Sequence, residues 1–83
     1  MEFYFAEKAQ QEFEALAPEI QKRIAKKMRF FAMQKNPLAF AKRLSDPREG
    51  QFRFRIGDYR VIFDVVRNSI FILKIGPRDK AYE

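Results

Sequence analysis

Alternation of apolar and polar positions dominates the second half of the chain. In Phe52-Arg53-Phe54-Arg55-Ile56 and again in Tyr59-Arg60-Val61-Ile62-Phe63, an apolar side chain recurs at every second residue on either side of Gly57-Asp58. A period of two marks a half-buried strand, and a two-residue Gly-Asp connection marks a tight hairpin. Such a turn fixes the register. Ile56 falls opposite Tyr59, Phe54 opposite Val61 and Phe52 opposite Phe63, giving one face that is wholly apolar or aromatic. On the other face Arg55 lies opposite Arg60, with Arg53 one step along. Like charges opposed across two strands are destabilising. A hairpin that holds three guanidinium groups on one face is therefore read as a surface made to meet an anion.

The first half carries a different period. Glu2-Phe3-Tyr4-Phe5 is a short strand by its aromatic content. Ala6, Ala9, Phe13, Leu16 and Ala17 then follow one helical face. Pro18 suits the first turn of a second helix, where its missing N–H costs nothing. Ile20, Ile24, Met28 and Phe31 give that helix an apolar stripe, and Lys22, Arg23, Lys26 and Lys27 a basic flank. The flank is read as a solvated face, with RNA contact as the sharper alternative. Asn36-Pro37 ends the helix. Residues 37–44 form a connector with one helical turn around Leu38 and Phe40, and residues 45–50 a polar turn.

Strands are predicted over 51–56, 59–66 and 69–75, with Arg67-Asn68 at the second hairpin tip, Pro77 closing the last strand and Arg78 to Glu83 as a short tail. The order strand, helix, helix, then three strands predicts one two-layer α+β domain over residues 1–83, an antiparallel sheet packed on a helix pair. Ile70 and Ile72 join the core face if the second turn also has two residues. The opposite face then holds Ile62, Phe71, Leu73 and Ile75 beside the arginines, which is too apolar for simple solvation. Either the tail or a protein partner is expected to cover it.

Composition narrows the chemistry. The 83 residues contain 10 Phe, no Cys and no His, so disulfides, a thiol nucleophile and an imidazole base are all excluded. No metal or other cofactor is expected, since the required ligand cluster is missing. The chain has no apolar run long enough for a membrane span and no signal-peptide pattern, which is compatible with a cytoplasmic protein. Lys+Arg number 17 against 11 Asp+Glu, for a formal net charge of +6, which favours polyanionic partners. Asp58 is read as a turn residue, Tyr59 as a core residue, and Glu49 most simply as a loop carboxylate paired with Arg48 or another nearby cation.

With these residues in place, the chain resembles the RelE/ParE superfamily of bacterial and archaeal type II toxins. The run Phe52 to Phe63 is similar to the family's basic-x-basic strand followed by G-D-Y-R-[VL]-[IV]-[YF]. Lys42-Arg43-Leu44 resembles the Lys-x-Leu element. The end Ile75-Gly76-Pro77-Arg78-Asp79-Lys80-Ala81-Tyr82 resembles the family's closing Gly, Arg and Tyr. The resemblance covers nearly the whole chain.

In the RelE branch it implies ribosome-dependent cleavage of mRNA in the A site, by attack of a 2′-hydroxyl on the adjacent phosphate. The implied catalytic set is Arg53, Arg55, Arg60, Arg78 and Tyr82. In the ParE branch it implies inhibition of DNA gyrase by protein binding, without catalysis. Both branches imply a cognate antitoxin, expected to land on Ile62, Phe71, Leu73 and Ile75. Two departures bear on the proton transfer. Pro77 stands where many relatives carry His or Lys, and Arg53 and Arg55 stand where the best-known branch has lysines. An arginine does not give up its proton, so the acid–base candidates are Tyr82, Lys42 and Glu49.

Overall fold

The sheet grows outward from two tight turns. In the computed structural model, which describes residues 1–77, Gly57 has φ +59° between β3 (Phe52–Ile56) and β4 (Tyr59–Val66). Glycine meets that requirement at no steric cost. Between β4 and β5 (Ser69–Pro77), Arg67 and Asn68 both have positive φ, at 50° and 63°. That pairing is the twist-compatible turn that joins strands through two residues. The β3–β4 register is the one expected from the sequence: Phe52 with Phe63, Phe54 with Val61, Arg55 with Arg60 and Ile56 with Tyr59.

The full order is β1 (Glu2–Phe5), α1 (Glu7–Glu14), α2 (Pro18–Met33), a 3-10 turn (Pro37–Phe40), β2 (Lys42–Arg43), then β3, β4 and β5. Two helices pack on a five-stranded sheet ordered β1-β5-β4-β3-β2. The two-layer α+β architecture is as expected, with two additions. The sheet is mixed, because β1 runs parallel to β5. The connector also contributes the short edge strand β2, antiparallel to β3.

The core lies between the helices and one sheet face. Ala9 from α1 and Ile24, Met28 and Phe31 from α2 meet Phe54, Ile56, Val61, Phe63, Ile70 and Ile72. Phe54 is the keystone of an aromatic stack, 4.2 Å from the Phe31 ring and 4.4 Å from the Phe63 ring. Beyond the end of β1, Glu12 of α1 accepts a hydrogen bond from the Ile75 N–H at 2.8 Å, so the helix satisfies a donor of β5. Among the described residues no buried side-chain polar atom lacks a partner. Among the described residues no helix is long and apolar enough to cross a membrane.

One element of the predicted outer face is corrected. The β4–β5 ladder shifts register between Ile62 and Phe63, pairing Phe63 with Ile72 but Ile62 with Lys74 and Val61 with Ile75. A bulge adds one residue to one strand, and every side chain beyond it changes face. Ile75 therefore turns into the core, where it is buried, and Lys74 turns outward.

Phe54→Ala should cost about 3–5 kcal/mol, because it empties the centre of the aromatic stack in a rigid site. Urea denaturation of the variant measures this, and a loss below about 1 kcal/mol would show that the stack is dispensable.

Candidate functional site

Strand alternation dictates the site. With Phe52 and Phe54 turned into the core, Arg53 and Arg55 must project from the outer face. The β2–β3 pairing places Lys42 opposite Arg53 on that same face, and Arg43 on the other, with its guanidinium 5.4 Å from the Phe52 ring centre. Directly opposed residues of an antiparallel pair have Cα atoms roughly 5 Å apart, so Lys42, Arg53, Arg55 and Arg60 form one dense cationic field.

The loop between β2 and β3 folds back over the sheet and walls this field on one side. It closes through the Leu44 N–H donating to the Gln51 carbonyl at 2.9 Å. Asp46-Pro47-Arg48-Glu49 is a turn whose residue types suit it: Asp first, Pro second. The Glu49 N–H donates to the Asp46 carbonyl at 3.0 Å, and the Arg48 N–H donates to the Asp46 carboxylate at 3.0 Å. The loop is then anchored to β4. The Gln51 N–H donates to Asp64 and the Val65 N–H donates to the Gln51 side-chain oxygen, each at 2.9 Å. Gly50, at φ +149°, sits so close to the sheet that a Cβ would come within 2.7 Å of Ile62 Cγ2.

Between loop and strands opens a cleft of about 470 Å³, lined by Lys42, Arg43, Leu44, Ser45, Asp46, Glu49, Arg53 and Arg60. Four of the residues singled out from the sequence thus share one cavity: Lys42, Glu49, Arg53 and Arg60. Arg55 stands outside its lining, exposed on the rung that it shares with Arg60. Arg78 and Tyr82 lie outside the described residues. Glu49 was expected to pair with Arg48 or another nearby cation. Arg48 instead reaches Asp46, with Nε at 3.1 Å and Nη2 at 3.2 Å. That contact holds the Asp46 carboxyl below its ordinary pKa, chiefly through the Arg48 side chain and then through the Arg48 N–H.

The apolar outer face is also smaller than the sequence suggests. Ile62 is buried, and it is the chain's own loop at Gly50 that packs on it, neither tail nor partner being required there. Phe71 and Leu73 are half-buried, and Tyr4 on the neighbouring β1 is 52% exposed. Sequence reasoning missed Asp64 and Gln51, which position the loop. The one visible signal was an isolated carboxylate within the apolar run from Val61 to Val66. It missed Lys74 as well, because nothing in the residue types marks the bulge. Among the described residues no group of three or more His, Cys, Asp or Glu could hold a metal ion.

A small two-layer α+β domain with a cationic cleft on the exposed face of its sheet is the class that fold and site define. The model of the family described as "ParE toxin of type II toxin-antitoxin system, parDE" matches residues 3–82, and the chain belongs to that family, within the RelE/ParE superfamily. No curated protein matches it in sequence. Among solved structures it is similar to a chain of the RelBE2 toxin–antitoxin complex from Mycobacterium tuberculosis, at 24% identity and a TM-score of 0.76, covering 93% of this chain and 96% of that one. A chain of the intact E. coli RelBE complex gives 18% identity and a TM-score of 0.73, covering 95% and 98%. The isolated E. coli RelE toxin gives 17% identity and a TM-score of 0.73, covering 98% and 89%. At these identities the solved structures establish the shared fold.

Two outcomes follow from the loop. A lowered carboxylate pKa means that the Asp46–Arg48 contact contributes fully above the ordinary value of 3.8 and is lost as pH falls through the lowered one. A carboxyl-carbon NMR titration should place Asp46 below 3.8, and Arg48→Ala should raise it; an unmoved midpoint would remove Arg48 as the cause. Asp64→Ala should free the loop at a cost of about 1 kcal/mol. Amide exchange of Gln51 should then quicken while the β3–β4 core stays protected; an unchanged Gln51 rate would mean that Asp64 is not the anchor.

Proposed function

We propose that this toxin is a ribosome-dependent endoribonuclease that cuts mRNA in the A site. The observation that carries the reading is the cleft itself, which gathers Lys42, Arg53 and Arg60 with the Glu49 carboxylate. The attacking 2′-oxygen loses its proton, bonds to the adjacent phosphorus and displaces the 5′-oxygen, which takes up a proton as it leaves. The products are a 2′,3′-cyclic phosphate and a 5′-hydroxyl. Negative charge builds on the phosphorane oxygens, and fixed guanidinium groups stabilise it there. A planar fork that can bond two oxygens suits Arg53 and Arg60 to that role.

The proton acceptor is assigned to Glu49. The other cleft acid, Asp46, is engaged by Arg48, and Glu49 is the remaining carboxylate in the cavity. Lys42 is suited to return a proton to the leaving oxygen. Arg55, Arg78 and Tyr82 complete the set by resemblance, the first as a flanking charge and the last as a stacking or proton-moving group. A cytoplasmic location follows from a ribosomal target.

An antitoxin is the proposed partner, supported by the family and by neighbours that are toxin–antitoxin complexes. Phe71 and Leu73, with Tyr4 beside them, form the apolar part of its landing zone; Ile62 and Ile75 are buried and drop out. The ParE family match favours gyrase inhibition as the second reading.

Translating ribosomes, a defined message and primer extension separate the two. Wild type should cut within codons only when ribosomes are present. Arg60→Ala should slow cutting roughly 100- to 1,000-fold, and Glu49→Gln by roughly 100-fold or more. An intact message, with gyrase supercoiling inhibited by the same preparation, would replace the nuclease by the gyrase reading.

A further inference from the structure

The β4–β5 bulge gives the cationic face a member that the strand pattern alone does not reveal. Lys74 pairs with Ile62, so it shares the outer face with Arg53, Ile62's partner on the other side, and with Lys42 beyond it. Without the register shift, Lys74 would point at the helices. It is exposed, and it does not line the cleft.

The direct route from Arg53 to Lys74 is blocked, because Gly50 of the loop packs on Ile62 between them. A second route is open. Arg60 pairs with Gly76, two residues along β5 from Lys74. Diagonal neighbours of this kind lie roughly 7–8 Å apart. Among the described residues, a side chain at Gly76 would meet nothing within 4 Å. Among the described residues, Gly76 thus leaves an uncovered stretch of sheet bounded by a cation on either flank, one of them inside the cleft and one outside it.

We infer that Lys74 is a backbone-phosphate contact for single-stranded RNA, holding the nucleotide that leaves the cleft past Arg60 and over Gly76. The inference rests on the nuclease reading of the cleft. Its chemistry is that of a compact ammonium on a flexible stem, which meets a phosphate as a point charge without reading the base. Lys74 is therefore a positioning residue and not a catalytic one.

Each phosphate neutralised on a single strand releases counterions, with a slope of about 0.7 in log affinity against log salt. Binding of a fluorescent single-stranded oligonucleotide, made uncleavable by 2′-deoxy substitution, is measured by anisotropy over a series of KCl concentrations. Lys74→Gln should flatten the slope by about 0.7, and Lys74→Arg should restore it. Lys22→Gln removes the same charge from the helix layer and should leave the slope unchanged. Gly76→Glu, which places a carboxylate on the open stretch, should weaken binding. Equal slopes for wild type and Lys74→Gln, with Arg60→Ala still weakened, would overturn the inference while sparing the nuclease reading. No measurable binding by the wild type would also overturn the inference, while the nuclease reading stands or falls separately on cutting of the ribosome-bound message.

Discussion

The stacking of Phe54 between Phe31 and Phe63 is the contact on which the rest depends. It joins α2 to the β3–β4 hairpin with ring centres 4.2 and 4.4 Å apart. Offset aromatic pairs at such distances add roughly 0.5–1.5 kcal/mol each beyond the area that they bury. Because side chains alternate along a strand, fixing Phe54 inward also fixes Arg53 and Arg55 outward. Core packing and the cationic face are thus two sides of one geometric commitment. A slip of one residue would expose the phenylalanines and bury the arginines together.

Repulsion on that face is the cost of the arrangement. Arg53 and Arg60 are set against a loop whose Asp46 and Glu49 line the same cleft. That loop is held by a short set of bonds, from Gln51 to Asp64 and from Val65 to Gln51. The loop also shields Ile62, which leaves less exposed apolar surface than the strand pattern implies. A surface held in this state before any ligand arrives needs little rearrangement to stabilise charge that appears during a reaction.

Much of this was legible in the chain. Gly57-Asp58 specified a register that the structure reproduces rung by rung, and the apolar stripe Ile24, Met28, Phe31 named the buried face of α2. The β2 strand was not legible, since Lys42-Arg43 has neither the length nor the alternation of a strand and pairs only because β3 offers an open edge. The bulge at Ile62/Phe63 was not legible either. It involves no Gly or Pro, and one extra residue within an apolar run looks the same whether it is bulged or paired. That single feature misplaced Ile75 and hid Lys74. The loop anchor joins residues 13 apart in the chain through side-chain amide and carboxylate, a contact that no local period announces. Lys42, Glu49, Arg53 and Arg60 were each nameable from sequence, but their gathering in one cleft needed the loop.

The position of β2 has a further consequence, for self-association. A sheet edge offers unpaired backbone groups to any passing strand, and exposed edges are where proteins polymerise. Here the free edge next to the hairpin is two residues long, and both are cationic and exposed. A second copy approaching to add a strand would meet its own charge. The edge therefore refuses its like, while the same two cations favour a polyanion.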